Sequence, residues 1–372
     1  MSKCHAATIN RKKYKRKSNN GRYYYWQQHG EGNDKNNKNN KNKKIEYDDL
    51  IGQGAHGCVY KPPLKCKYQS YLDVIHSNDI MKLMKENANS LMEDEISRFL
   101  QKMDPSNSYY IPLSNEKCIV DDIKNKKELY ECNAYYNSVN KSDFRGIFLK
   151  YGGPTFGTYL KNKNLDCLMV WRIVMHLLQG LNNLHSHKII YMDVKEANIV
   201  VYDNVPRYID FGLSKFIDAL NYDDASELFL YPLYPLFYSV INAKNIKELY
   251  EIYGEPIKSH MIKRGMKFVK NGKTDYVKNY FDEYKKGKIN YWNNIILKNI
   301  YKVDTYMLFN MFLRLDLANK CDVKTKEDYT LAEYLNNLID YCIDPNVDTQ
   351  YDMQKIYNFI NTKVIPTLQR IK

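Results

Sequence analysis

One segment of the chain groups side chains whose types and spacing suit work on a charged, transferable group. Ile189-Ile190-Tyr191-Met192-Asp193-Val194-Lys195-Glu196-Ala197-Asn198-Ile199-Val200 sets a carboxylate, an ammonium and an amide at offsets 0, +2 and +5. In phosphoryl transfer three such groups have separate tasks: a base orients the attacking hydroxyl, a cation offsets phosphate charge, and an amide oxygen holds a metal. Twelve residues beyond Asn198 stands Asp210-Phe211-Gly212. Between them, Ile199-Val200-Val201-Tyr202 and Arg207-Tyr208-Ile209 read as strands joined by a turn at Asp203-Asn204. The spacing predicts a hairpin that carries Asn198 and Asp210 to one site. Two oxygen donors on adjacent strands suit Mg²⁺, which takes few protein ligands and completes its shell with phosphates and water.

Either motif alone also describes an ordinary loop. Their joint occurrence after an amphipathic run ending Leu184-His185-Ser186-His187-Lys188 resembles the catalytic and metal-binding loops of the eukaryotic protein kinase family. Upstream, Ile51-Gly52-Gln53-Gly54-Ala55-His56-Gly57-Cys58-Val59-Tyr60 contains G-x-G-x-x-G. That pattern also marks dinucleotide folds, but there it opens a helix. Here Cys58-Val59-Tyr60 continues as a strand and Pro62-Pro63 opposes a helix, so a glycine-rich hairpin over nucleotide phosphates is the better fit.

The resemblance implies an α+β, bilobal protein kinase fold with a β-rich N-lobe, one main N-lobe helix and a mostly helical C-lobe. It implies ATP and Mg²⁺ as cofactors and a protein substrate. Asp193 would accept the hydroxyl proton, Lys195 would neutralise phosphate charge, and Asn198 with Asp210 would hold the metal. Gly52, Gly54, Gly57 and Val59 would cover the nucleotide. A strand lysine should bind the α/β-phosphates; Lys82, among Ile80, Met81 and Leu83, is the best candidate and Lys85 its rival. Its partner should be a helical glutamate. Glu93 shares a helix stripe with Ile96 and Leu100, while Glu95 remains the alternative. Ile147-Phe148-Leu149-Lys150-Tyr151-Gly152-Gly153 is similar to the hinge, with Leu149 and Tyr151 near the adenine. Val303-Asp304-Thr305-Tyr306-Met307-Leu308 is similar to the start of the buried central helix whose Asp anchors the catalytic loop.

Lys82 lies only 11 residues before Glu93 and 13 before Glu95. This compression, with Met103-Asp104-Pro105 and Tyr109-Tyr110-Ile111-Pro112, resembles protein kinases of large nucleocytoplasmic DNA viruses. Lys195 is the Ser/Thr rather than the tyrosine kinase pattern. Tyr191 and Met192 stand where the family usually has His and Arg. Without that Arg, no phosphate–Arg switch on the activation segment is expected. The Ala-Pro-Glu ending of that segment is replaced by Tyr231-Pro232-Leu233-Tyr234-Pro235, and the Lys- and Tyr-rich stretch 239–300 is longer than the norm. The competing readings are a pseudokinase scaffold, a small-molecule kinase of the same fold, and a nucleic-acid-associated protein.

The elements that must position these groups follow from the pattern of the chain. Ala88–Met103 and Cys167–His187 show helical apolar spacing. Residues 121–143, rich in Lys, Glu and Asn, read as a surface hairpin or loop. The domain boundaries drawn from these signals are a tail, 1–44, and a kinase domain, 45–372. Within the latter the N-lobe takes about 45–150, the hinge about 148–153 and the C-lobe about 154–372.

Of the formal charge of +13 on 372 residues, residues 1–44 hold +11, leaving +2 on the rest. The Arg11–Lys17 run, the Tyr23–Trp26 aromatics and the Asn/Lys repeat read as a disordered basic arm that offers contacts to nucleic acid or an acidic partner. No run nears the roughly eighteen apolar residues of a membrane helix, and the start lacks a secretory pattern. Nothing calls for an obligate oligomer. Eight cysteines without a CxxC pair read as reduced thiols, which makes a cytoplasmic or nuclear location (host cell or virion, if viral) the expectation. The thirty-five tyrosines are read as a mark of AT-rich coding rather than of function.

Overall fold

In Asp79–Lys85 the apolar residues Ile80, Met81, Leu83 and Met84 flank Lys82, and the segment is the central strand of a sheet. The computed structural model describes residues 50–54, 57–68, 79–161, 163–222, 234–254 and 276–371. The basic tail and its expected disorder and partners lie outside the described residues, as do Tyr231–Leu233 and 255–275 of the charged stretch. The strands are β1 (Leu50–Gln53), β2 (Gly57–Tyr60), β3 (Asp79–Lys85), β4 (Lys117–Cys118) and β5 (Phe144–Lys150), all antiparallel in the order β1-β2-β3-β5-β4. Helix α1 (Ala88–Met103) follows β3 with the expected bounds.

The segment expected as a surface hairpin folds differently. It forms two short helices, α2 (Lys126–Glu131) and α3 (Asn133–Tyr136), which bury Leu129, Cys132 and Tyr135 against Cys58, Tyr60, Met81, Leu83 and Phe148. Its surface is Lys- and Glu-rich, so its mean composition hid three well-spaced anchors. Two disulfides fasten it and the neighbouring strand to the sheet: Cys58–Cys132 and Cys66–Cys118. The reading of all eight cysteines as reduced thiols is therefore corrected. A motif search sees cysteines close in sequence, whereas these pairs are 74 and 52 residues apart and meet only through tertiary packing. Cys167, Cys321 and Cys342 are buried free thiols, and Cys4 lies outside the described residues. With disulfides present, the thiol argument for a cytoplasmic or nuclear location loses its premise. Among the described residues no helix is long and apolar enough to cross a membrane.

Beyond β5 the chain is mainly helical. Helix α4 (Phe156–Leu160) precedes α5 (Cys167–Ser186), which Asp166 caps and which ends one residue before the expected His187. Strand β6 (Ile189–Ile190) pairs with β9 (Lys215–Phe216), and β7 (Ile199–Tyr202) with β8 (Val205–Tyr208), the hairpin expected from the turn signal. The helix Ile300–Arg314 is buried along nearly its whole length and runs through the centre of the C-lobe core beside α5. In the long charged stretch, helices Ile246–Gly254 and Tyr276–Lys286 bring Leu249, Val277 and Tyr284 into that core.

A disulfide stabilises chiefly by restricting the unfolded chain, typically by about 2–4 kcal/mol for loops of this size. The paired variant Cys58→Ser/Cys132→Ser is expected to lose that much in denaturant unfolding. Intact mass before and after reduction should differ by the hydrogens of two disulfides. Unchanged mass and unchanged unfolding midpoint on reduction would contradict both.

Candidate active site

The charge cluster begins with β3. Met81 and Leu83 are fully buried on one face, so Lys82 between them is turned to the other. Helix α1 is set in phase by a capping box: Asn87 accepts from the Ser90 amide at 3.0 Å, and Ser90 Oγ accepts from the Asn87 amide at 2.8 Å. That phase puts Glu93, Ile96 and Leu100 on the buried side. Lys82 Nζ consequently lies 2.7 Å from Glu93 Oε1 and 3.1 Å from Asp210 Oδ1. The alternatives lie elsewhere: Glu95 is exposed, and Lys85 forms a surface pair with Asp143 at 3.7 Å. Burial alone would lower the Lys82 ammonium, but Asp210 and Glu93 together hold it well above the usual lysine range. The Lys82 charge in turn draws the Asp210 carboxyl down, while burial pushes Glu93 up.

The second half of the site hangs from Asp304, which is wholly buried in the helix Ile300–Arg314. Its carboxylate accepts from the Tyr191 amide at 2.8 Å and the Met192 amide at 2.7 Å, and lies 3.0 Å from His185 Nε2. Met192 has φ +67°, in the left-handed region that non-glycine residues enter only when held there. The Tyr191 ring packs 5.2 Å from Tyr208 and 5.3 Å from Phe211, and its hydroxyl donates to the Ile209 carbonyl. Tyr234 Oη donates to the Met192 carbonyl at 2.7 Å, and Ser214 Oγ to that of Tyr191 at 3.0 Å.

From this frame Asp193 projects with Oδ2 accepting from Lys195 Nζ at 2.8 Å and from Asn198 Nδ2 at 2.7 Å. Burial raises the Asp193 carboxyl above the usual aspartate range, and Lys195 partly offsets this. The Ile209 amide bonds the Asn198 carbonyl at 3.0 Å, which sets Asp210 beside Asn198 across the hairpin. Asp210 itself has φ +60° and sends its side chain to Lys82 while Phe211 is buried against Tyr110 and Tyr191.

Gly57 is demanded by packing, since a Cβ there would lie 2.2 Å from the Leu83 carbonyl oxygen. Gly52 and Gly54 are different: a Cβ at either would meet nothing closer than 3.6 Å. A side chain at either position would make only ordinary contacts, so packing does not demand these two glycines, which is compatible with a hairpin whose backbone a ligand approaches. Val59 lies opposite Lys82 on the paired strand. Leu149 packs with Met84, Leu113 and Ile147 at the end of β5. Tyr151 follows that strand and carries Lys61 Nζ 3.5 Å from its ring centre. At Gly152 and Gly153 the chain presses on Val200 and on the Val201 carbonyl so closely that side chains there would clash. With its side-chain Nδ2 donating to Asp193 and its backbone carbonyl accepting from Ile209, Asn198 has its side-chain Oδ1 to offer. That oxygen and the Asp210 carboxylate form a hard, two-donor set, which fits Mg²⁺ bound jointly with phosphate.

With this geometry in view, comparison with known proteins is direct. Residues 45–228 match the protein kinase domain. The described body has the kinase fold: a five-stranded antiparallel sheet with one main helix, above a helical C-lobe. A Trypanosoma brucei brucei protein named cell division control protein 2 homolog 3 is 28% identical over 168 residues, 45% of this chain and 46% of that protein. Mitogen-activated protein kinase kinase kinase 20 of Arabidopsis thaliana is 28% identical over 113 residues, 29% of this chain and 33% of that one. Serine/threonine-protein kinase 1 of Heliothis zea nuclear polyhedrosis virus is 29% identical over 109 residues, 29% of this chain and 41% of that one. The matched segments thus span less than half the length of these relatives. The kinase fold places the Lys82 cluster and the Asp193 loop on the two lobes, with β5 and Tyr151 between.

Sequence reading had not singled out Tyr234 or Ser214 as supports of the loop, because a hydroxyl that reaches a distant carbonyl has no local pattern. Nor had it seen that α2 and α3 grip the glycine-rich hairpin. Gln53 Oε1 accepts from the Asn133 amide at 2.6 Å, and Tyr60 Oη donates to the Glu128 carbonyl at 2.9 Å.

The cluster predicts how nucleotide binding responds to mutation. Asp210→Asn should abolish the extra thermal stabilisation that Mg²⁺ adds to ATP, measured as the melting shift with nucleotide alone and with both. Wild-type Mg²⁺ dependence in that variant would remove Asp210 from the metal site.

Proposed function

We propose that the chain is a Ser/Thr protein kinase that transfers the γ-phosphate of ATP to protein hydroxyls. The observation that carries this reading is a largely buried Asp193 carboxylate held by Lys195 and Asn198, on the same lobe as Asp210, which meets Lys82 and Glu93 of the N-lobe. Bound ATP supplies the transferable group, and Mg²⁺ offsets its charge. The protein's part is positioning and electrostatics. Lys82, charged at any working pH, steadies the nucleotide phosphates, and Glu93 keeps it aimed. Asn198 and Asp210 offer oxygens to the metal. Asp193 orients the attacking hydroxyl and receives its proton late, and Lys195 balances charge beside it. Lys195 two positions after Asp193 supports Ser/Thr over tyrosine. Gly52, Gly54, Val59, Leu149 and Tyr151 are assigned to the nucleotide's surround. The likeness to kinases of large DNA viruses rests on the 11-residue Lys82–Glu93 spacing and is supported by the match to a baculovirus kinase.

The decisive assay incubates the protein with labelled ATP, Mg²⁺ and casein or a basic protein, beside Asp193→Asn and Lys82→Met. Transfer by the wild type alone supports the proposal. Equal signal in all three refutes the assigned site, and none in any leaves a scaffold with a kinase fold.

The proton acceptor must be ionised, so activity is present above the Asp193 pKa and lost as pH falls through it. Since burial raises that pKa, the acid limb of kcat should lie above the ordinary aspartate value of about 3.9. Lys195 holds it down, so in Lys195→Met the limb should move to higher pH. A pH–rate profile whose acid limb stays in place in that variant would show that Asp193 is not the titrating group.

A further inference from the structure

We propose that Tyr234 is a positioning residue for Asp193, fixing by its hydroxyl the peptide plane from which the proposed base departs. The proposal rests on the kinase reading above and names how the same site is held ready. The Met192 carbonyl and the Asp193 amide belong to one planar peptide unit. Whatever holds that carbonyl therefore sets the orientation at Asp193 Cα. Asp304 grips the preceding peptide through the Met192 amide at 2.7 Å, and Tyr234 Oη grips the next through the Met192 carbonyl at 2.7 Å. Between the two grips Met192 is kept at φ +67°. A left-handed conformation is unfavourable for a non-glycine residue, so the loop would relax if either grip were lost.

Tyr234 is itself braced. It is buried, and its ring stacks on Tyr238 with centroids 5.4 Å apart and planes 26° from parallel. Tyr238 lies in the short helix Leu236–Ser239, whose entry is set by Pro235. The position before Asp193 holds Met192, which has no charge with which to receive a phosphorylated activation segment. A neutral hydroxyl from the far end of that segment instead bonds the same residue's backbone. The catalytic loop and the substrate-side segment are thereby joined by a contact that requires no phosphorylation.

Tyr238 provides a matched control. Its hydroxyl is buried and has no hydrogen-bond partner among the described residues, so Tyr238→Phe makes the same chemical change without breaking a bond. Tyr234→Phe keeps the ring and removes the hydroxyl that bonds the Met192 carbonyl. Because misplacing a reacting group by about 1 Å can cost 10²-fold, Tyr234→Phe should lower kcat about tenfold or more with the KM for ATP unchanged, and Tyr238→Phe should leave both near wild type. An activity-independent arm measures backbone hydrogen exchange in peptides spanning 190–198. Exchange there should quicken in Tyr234→Phe and not in Tyr238→Phe. Wild-type kcat together with wild-type exchange in Tyr234→Phe overturns the proposal, as does an equal loss in both variants. If wild-type protein transfers no phosphate, the kinase reading fails, and exchange alone still decides whether Tyr234 holds the loop.

Discussion

The carboxylate of Asp304 is the constraint on which the site depends. The segment 191–195 is neither helix nor sheet, yet it passes through the C-lobe core, where every amide and carbonyl needs a partner. Asp304 answers two consecutive amides, Tyr191 and Met192, with two oxygens of one group. It sits on a helix buried along nearly its whole length, so the anchor cannot shift without moving the core. Asp193, one residue further on, inherits that rigidity. The Lys82 cluster, which joins the two lobes, is built on another principle. Lys82, Glu93 and Asp210 come from a strand, a helix and a loop, and are held by charge, so their arrangement depends on how the two lobes meet.

The glycine-rich hairpin is where flexibility and restraint have to coexist. Packing does not demand Gly52 and Gly54, while Gly57 is pressed on the Leu83 carbonyl. Behind the hairpin, Cys58 is tied covalently to Cys132 at the junction of α2 and α3, and Gln53 is hydrogen-bonded to the next residue. The back of the hairpin is thus fixed to an insert that is itself packed in the core.

Most of the fold and much of the site geometry were legible because their signals are local or periodic. The bounds of α1, the β7–β8 hairpin and the strand with Lys82 follow from apolar spacing and a turn signal. Glu93 could be preferred to Glu95 on helix phase alone, and the structure sets Glu93 against Lys82. What stayed hidden was non-local. The Cys58–Cys132 and Cys66–Cys118 pairs are made by the packing of the α2–α3 insert and of the chain after β2 on the sheet, which spacing does not reveal. The segment 121–143 looked like surface because its polar majority outvoted Leu129, Cys132 and Tyr135. The hydroxyl of Tyr234 reaches a carbonyl 42 residues away in the chain.

The tyrosines are the clearest revision. Their number had been set aside as a coding bias, and coding bias explains why tyrosine was available but not where it ended up. Tyr191, Tyr208, Tyr234 and Tyr291 are buried, and each donates its hydroxyl to a backbone carbonyl: Ile209, Leu177, Met192 and Phe237 respectively. A phenol is suited to this task, since its ring gains from burial as an apolar group and its one donor bonds a backbone carbonyl, on irregular chain at Ile209 and Met192 and on helix at Leu177 and Phe237. Lysine or arginine in the same place would bring a charge whose desolvation costs several kcal/mol unless an anion were buried with it. Neutral hydroxyls can therefore hold the backbone around the Asp193 segment without adding charge near Asp193. Charge is then concentrated where a polyphosphate would need it, at Lys82 and Lys195, and a body with a net charge of only +2 outside its basic tail still holds a strongly polar cleft.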